Sequence, residues 1–439
     1  MKMKYYSTNK QAPLASLQQA VIKGLAEDKG LYMPENITAL DSHIISSMKN
    51  MNLQQIGNII AQSFFGDSIE ADVLNNIVNE TLQFDIPLIN LHDNIYSLEL
   101  FHGPTLAFKD VGARFMARLL KYFIKKKGIK DINVLVATSG DTGSAVANGF
   151  FGVKGINVYI LYPKKKVSDI QEYQFTTLGE NIFALEINGT FDDCQTLVKS
   201  AFMDKELNSK KCLTSANSIN IARFLPQSFY YFYAYAQLDK INKAKKLVVS
   251  VPCGNLGNLC AGLVAHKMGL PIEHFIAANN KNNVFSNYLK TGVFIPKPSV
   301  STYANAMDVG NPSNFERITD LFSIYSSPYQ AITKQISGHS YNDTRVAKTM
   351  QHVYGTYNYI LDPHGAIAYQ ALIEDESLKI DKSGVFLETA HPAKFKNIVD
   401  DILGIDINVP DALQTFMRGK KQSIELEKDF TEFKNYLLH

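Results

Sequence analysis

Apolar and polar positions alternate along the chain in two rhythms, and the change falls near residue 90. Before it, apolar residues recur at helical spacing, most clearly over 51–79 around Leu53, Ile56, Ile60 and Phe64. This region is expected to be mostly helical. Residues 24–34 interrupt it with a helix end, a turn and an extended piece, and Ile86-Pro87-Leu88 ends it. From Asp110 a helix is predicted through Arg114, Met116, Leu119, Leu120 and Phe123 to a stop at Gly128. Short apolar runs then alternate with amphipathic stretches. Strands are predicted over 134–137, 158–161 and 182–187, and helices over 143–151, 169–178 and 191–207.

The same alternation returns after an aromatic stretch over 229–235, which reads as a buried or interfacial helix. A strand over 247–251 runs into a glycine loop and a helix ending at Gly269, and 275–278 is a further strand. Ile360-Leu361 and 385–387 are short apolar pieces, each followed by a polar loop and a helical pattern. Strands separated by helices at this spacing imply parallel α/β sheets with right-handed crossovers. No repeat or flexible linker divides the chain, so the domains are expected to interleave.

Composition narrows the function. The chain has 439 residues, 46% apolar and 20% charged, enough for two or three domains with large cores. Lys plus Arg at 44 against Asp plus Glu at 42 nominates no nucleic acid. The basic runs at 125–127 and 164–166 lie where a helix and a strand should end. Cys194, Cys212, Cys253 and Cys260 have neither metal-ligand spacing nor a disulfide framework, so no metal is expected. The N-terminus lacks an apolar signal core, and no apolar run is long enough to span a bilayer. A cytoplasmic protein is expected.

Five stretches carry candidate chemistry. Lys109 follows the apolar run Leu106-Ala107-Phe108 at the start of a helix, where partial desolvation would make its amine a usable nucleophile or base. Gly254, Asn255, Leu256, Gly257 and Asn258 join a strand to a helix; they suit either a cradle for a phosphate or a tight turn. The loop has no Gly-Lys-Ser/Thr continuation and no third glycine of a dinucleotide fingerprint. Thr138, Ser139, Asp141 and Thr142 gather at a second loop of this kind, as anion ligands or as ordinary N-caps. Asn217, Ser218 and Arg223 precede the aromatic helix, where Arg223 suits bidentate capture of phosphate or carboxylate, or a surface cap. The Thr389 hydroxyl follows the last strand and could bond a heterocycle nitrogen or cap a helix. His364 and His391 stand apart from any nucleophile or zinc pattern and read as structural.

Taken together, these stretches resemble the threonine synthase family, pyridoxal-phosphate enzymes of fold type II. The resemblance rests on Tyr6-Ser7-Thr8 and 24–34, on 101–110 (FHGPTLAFKD), on 138–143 (TSGDTG) and on 218–223 (SINIAR). It extends through 305–314 (NAMDVGNPSN) and 389–395 (TAHPAKF), so it covers nearly the whole chain. It implies two interleaved parallel-sheet α/β domains behind a mostly helical N-terminal region: 1–90; a large cofactor domain, 91–110 and 236–439; and a small domain, 111–235, that closes over the substrate. By resemblance, Lys109 bears pyridoxal phosphate as a Schiff base, Gly254 to Asn258 hold its phosphate, and Thr389 bonds the pyridine nitrogen. Asp141 stands where many relatives of this fold have Asn near the ring oxygen. Ser139, Thr142, Asn217, Ser218 and Arg223 match positions that hold the substrate's carboxylate and phosphate. The implied reaction converts O-phospho-L-homoserine and water to L-threonine and phosphate, without nucleic acid, membrane or metal, and with no preference between monomer and homodimer. Two alternatives remain open here, a threonine or serine dehydratase of the same fold and a phosphate-ligand binding protein without the chemistry.

Overall fold

The computed structural model describes residues 2–128, 131–243, 246–378 and 381–439, with the Lys127 side chain left out. Met1 and that side chain, parts of the N-terminal and basic-run readings, lie outside the described residues. The chain divides into two compact units that interleave in sequence. One comprises residues 1–3, 33–108 and 224–408, the other 4–32, 109–223 and 409–439. These cuts differ from the expected boundaries. Residues up to 90 are shared between the units, and the C-terminal 31-residue segment from Val409 to His439 belongs with 109–223.

The first unit is built on a six-stranded sheet in the order Ile336–Ser340, Ile272–Asn279, Leu247–Pro252, Ser383–Glu388, Ile95–Glu99, Leu88–His92. All neighbours are parallel except the last pair, an antiparallel hairpin. Leu247–Pro252 and Ser383–Glu388 are buried along their whole length, as central parallel strands covered on both faces must be. Ile360-Leu361 forms no strand; the places on either side of Leu247–Pro252 are taken by Ile272–Asn279 and Ser383–Glu388. The aromatic stretch is a helix, Phe229–Lys240, with Phe229, Tyr230, Tyr231 and Phe232 buried.

The second unit carries a five-stranded, all-parallel sheet in the order Ile424–Glu427, Ile182–Asn188, Ile156–Pro163, Ile132–Ala137, Cys212–Ser215. Its core includes Leu135, Leu161, Leu185, Leu197, Leu426 and Phe433, so the C-terminal strand and helix are part of it. The helix Lys109–Lys127 ends before Gly128, whose φ of 64° is a glycine conformation. The helical spacing over 51–79 belongs to two helices, Leu53–Phe65 and Ala71–Thr81, and the helix expected over 191–207 breaks at Asp204, which caps Lys205–Lys210 through the Leu207 amide. The N-terminal region is less helical than expected, because Lys4–Ser7 and Ala15–Ser16 pair antiparallel.

Candidate active site

In a parallel sheet the loops leaving the carboxyl ends of adjacent strands gather along one edge, which is where such folds place ligands. In the first unit the strands Leu247–Pro252, Ser383–Glu388 and Ile95–Glu99 are consecutive neighbours, and from them leave the glycine loop, the Thr389 loop and the segment leading to Lys109. The last two are bonded together. Phe108 N donates to Thr389 O at 2.9 Å, His391 N donates to Leu106 O at 3.1 Å, and Ala107 bridges Ala390. The buried Lys394 Nζ donates to Thr105 O at 2.9 Å. The residue preceding Lys109 is therefore fixed to Thr389, the expected ring partner.

The glycine loop fits a phosphorylated cofactor. Leu256 turns the chain with φ 61°, and the helix Gly257–Lys267 starts there with no side-chain cap on its first amides. A helix start of this kind attracts an anion. Gly254 lies so close to the 304–309 turn that a Cβ would come 2.8 Å from Ala306 O and 2.9 Å from Met307 Cα. Asn258 accepts the Tyr230 hydroxyl at 2.8 Å and the Tyr231 hydroxyl at 2.7 Å through Oδ1. Its Nδ2 is buried and has no hydrogen-bond partner among the described residues. A buried donor of that kind costs about 1–3 kcal/mol unless a ligand satisfies it.

The loop is braced from behind by residues to which sequence reasoning gave no role: Ser313 and Asn314, within the quoted motif 305–314, and Arg317, outside it. Asn255 Oδ1 accepts from Ser313 N at 2.6 Å, and Asn255 O accepts from Asn314 Nδ2 at 2.9 Å. Asn314 Oδ1 in turn accepts from Arg317 Nη1 at 2.6 Å. Arg317 is fully buried over the Phe224 ring, 4.4 Å from its centroid, and burial lowers its pKa to about 10. The 304–309 turn is held as well. His364 Nε2 accepts from Ala306 N at 3.2 Å while its Nδ1 lies 2.5 Å from Asp362 Oδ1. Asp362 N donates to the buried Glu388 carboxyl at 2.7 Å, and burial with the Asp362 charge pushes that carboxyl well above the usual range. His364 is thus structural, and so is His391, whose Nδ1 accepts from Ala393 N at 3.1 Å.

In the second unit, Ile132–Ala137 and Cys212–Ser215 are parallel neighbours, so the loops 138–143 and 216–220 leave the same sheet edge. Asn217 Nδ2 ties them by donating to Ala137 O at 3.0 Å. Thr138 Oγ1 accepts the amides of Gly140 at 3.0 Å and Gly143 at 2.8 Å. Ser139, Thr142, Asn217 and Ser218 are partly exposed among buried neighbours. Asp141 is buried, and its Oδ2 lies 3.9 Å from Nζ of Lys109, whose side chain is 14% exposed. Asp141 Oδ1 accepts from Gln171 Nε2 at 2.8 Å, a partner that sequence reasoning did not single out. Arg223 is 2% exposed, no surface cap, and its guanidinium donates to Ala216 O. Burial lowers its pKa to about 10 against the opposing pull of Asp110. The described residues contain no His/Cys/Asp/Glu group that could hold a metal ion, and no helix among them is long and apolar enough to cross a membrane.

Known proteins show the same organisation. The family model described as pyridoxal-phosphate dependent enzyme matches residues 84–389, and those for the threonine synthase N terminus and C-terminal region match 4–82 and 365–437. Threonine synthase of Haemophilus influenzae is 44% identical over 437 residues, covering 99% of this chain and all of its own. The crystal structure of threonine synthase from Escherichia coli superposes with a TM-score of 0.93 at 40% identity, covering 99% of each chain. That of pyridoxal-phosphate-bound threonine synthase from Brucella melitensis superposes with 0.92 at 34% identity, covering 100% of this chain and 99% of its own. A threonine deaminase from Solanum lycopersicum, at 15% identity and a TM-score of 0.56, shares the fold alone.

Proposed function

Because the chain belongs to the threonine synthase family, and is a pyridoxal-phosphate-dependent lyase of threonine biosynthesis, we propose that its substrate is O-phospho-L-homoserine and that Lys109 is the catalytic residue. In this reading water adds at Cβ of the substrate as phosphate leaves from Cγ, giving L-threonine. The residues fit the cofactor. Lys109 would hold it, Gly254, Asn255, Leu256, Gly257 and Asn258 would take its phosphate, Thr389 would bond its ring nitrogen, and Asp141 would lie near its ring oxygen. Bound there, it supplies an electron sink for negative charge developing on the substrate carbons.

The chain's own groups do the rest. Lys109 Nζ is the base that moves protons at substrate Cα, Cβ and Cγ, and the Asp141 carboxylate facing it steadies the charge it gains. Ser139, Thr142, Asn217 and Ser218 donate to the substrate's carboxylate and phosphate, and Arg223 supplies the cation for them. A neutral hydroxyl at Thr389 leaves the ring nitrogen without an acid partner from that side chain. The observation that supports this reading most is the bond from Phe108 N to Thr389 O. It joins the expected ring partner to the residue before Lys109, whose amine has a carboxylate at 3.9 Å. A cytoplasmic location belongs to the same reading, supported by four cysteines that form no disulfide.

The test supplies O-phospho-L-homoserine to the purified holoenzyme and measures both products. Threonine and phosphate in equal amounts are expected. Formation of 2-oxobutyrate without threonine would overturn the assigned reaction, and no product from this substrate together with 2-oxobutyrate formed from threonine would favour a dehydratase.

A further inference from the structure

We infer that Gln171 is a positioning residue for the Lys109 amine, acting through Asp141, an inference that rests on the proposed role of Lys109. Gln171 is fully buried in the first turn of the helix Asp169–Thr176. Its amide orientation is set on one side by Ser168, whose Oγ donates to Oε1 at 3.1 Å and accepts from Gln171 N at 3.3 Å. Its main chain is held by Ser144, whose Oγ donates to Gln171 O at 3.2 Å. With Oε1 so engaged, Nε2 is the atom that faces Asp141, donating to Oδ1 at 2.8 Å. Asp141 is then held with Oδ2 turned to Lys109 Nζ at 3.9 Å.

The chemistry of the donor matters. A neutral amide steadies the carboxylate without cancelling its charge, so the charge stays available to the amine. A cation at 171 would neutralise Asp141, and an acid there would share one proton with it, because two buried carboxyls at that 2.8 Å separation do not both ionise. The fold makes room for this one side chain. Gly140 has φ 141°, and a Cβ on it would lie 2.4 Å from Gln171 Oε1. Gly140 is therefore needed for its backbone angle and for the passage of the Gln171 amide. Ser144 and Ser168, which bond Gln171, carry no charge; Glu172, next along the helix, is paired with Lys421 at 2.6 Å, and Asp110, next to Lys109, is opposed by the buried Arg223 guanidinium.

The experiment follows the visible absorption of the cofactor-loaded protein against pH in wild type, Gln171→Glu, Gln171→Lys and the isosteric, donor-free Gln171→Met. The acid and base forms of the Lys109 nitrogen give different spectra, so the midpoint reports the charge that Asp141 presents. Gln171→Lys is expected to lower the midpoint by about one pH unit or more, and Gln171→Glu, which shares a proton with Asp141, to move it by only a fraction of that. Gln171→Met should raise it by less than Gln171→Lys lowers it. Apoprotein melting temperatures, measured in parallel, report packing alone. If the charged variants do not fold, Gln171→Met still decides the matter. Midpoints unchanged in every folded variant, whatever the melting temperatures do, would overturn the inference. A wild type that forms threonine with unmoved variants defeats only this inference, whereas a wild type with no visible band or turnover defeats the reading on which it rests.

Discussion

The two glycine loops look alike in sequence and are built for different work. Each leaves a buried parallel strand and opens a helix. Around 254–258 the first-turn amides have no side-chain cap, and the surroundings are neutral amides and phenols, with the Arg317 cation one hydrogen-bonded step behind Asn314. Around 138–143 the Thr138 hydroxyl already takes two amides, and a buried carboxylate faces an amine. The first arrangement leaves amides open to an anion. The second suits proton movement, since acid and base lie within one side-chain motion of each other. Strand, glycines and helix therefore do not by themselves leave backbone amides for an anion; at 138–143 the donors that remain are the side chains of Ser139 and Thr142. What decides is whether the loop's own side chains have already satisfied its amides.

The largest effect expected is at the proton-moving loop's partner. Lys109→Ala should lower turnover by at least about a thousandfold, measured as threonine formed, while the melting temperature of the apoprotein stays near wild type. Retained turnover would mean that the amine facing Asp141 moves no proton in the reaction. Next comes the anion loop. Gly254→Val places branched carbon against the backbone of Ala306 and Met307. It should weaken cofactor binding by about a hundredfold, equal to ~2.7 kcal/mol, as read by equilibrium titration of the apoprotein. Asn258→Leu removes the acceptor of Tyr230 and Tyr231 and the buried donor together. About tenfold weaker cofactor binding is expected, with an unchanged KM for the substrate at saturating cofactor. Arg223→Ala sharpens the comparison from the other side. KM for O-phospho-L-homoserine should rise about tenfold or more with cofactor affinity intact, and an unchanged KM would remove Arg223 from the substrate site.

The last effect is on stability alone and concerns acid behaviour near the Thr389 loop. Burial, with the His102 charge, lowers the His391 pKa from 6.5 to about 4. The neutral ring is the form that caps the next turn, accepting Ala393 N. With the folded pKa below the unfolded one, this stabilisation is complete above pH 6.5 and is lost as pH falls towards 4. It amounts to roughly 2–3 kcal/mol. Melting temperatures measured from pH 7 to pH 4 should fall less steeply in His391→Asn, which keeps an acceptor that does not titrate. Parallel slopes would show that the decline arises elsewhere.

The places of both loops, of Lys109 and of Thr389 at strand ends and helix starts are legible in the sequence because strand, turn and helix signals are local and strong there. Their supports are not. Gln171 is a polar residue in a first helical turn, where sequence alone reads solvent, yet it is fully buried. Arg317 lies on the helix Phe315–Phe322 and reads as a surface charge, yet it is enclosed over Phe224. Arg223 was open between a surface cap and an anion ligand, and its burial removes the first. The strand Ile424–Glu427 is too short to show a period, since only Leu426 of its four residues is buried. Its pairing with Ile182–Asn188 connects residues more than two hundred positions apart, which no local signal can announce. The split of 51–79 was hidden for a different reason. The apolar spacing persists in both helices, and Gly66 ends the first with an ordinary helical φ of −59°.

The most direct test of the central assignment is to reduce the yellow holoenzyme with borohydride, digest it and weigh the peptides. The account predicts one pyridoxyl-phosphate adduct, on Lys109, and none in Lys109→Ala. An adduct on another lysine, or a colour that persists in Lys109→Ala and bleaches as before, would contradict it.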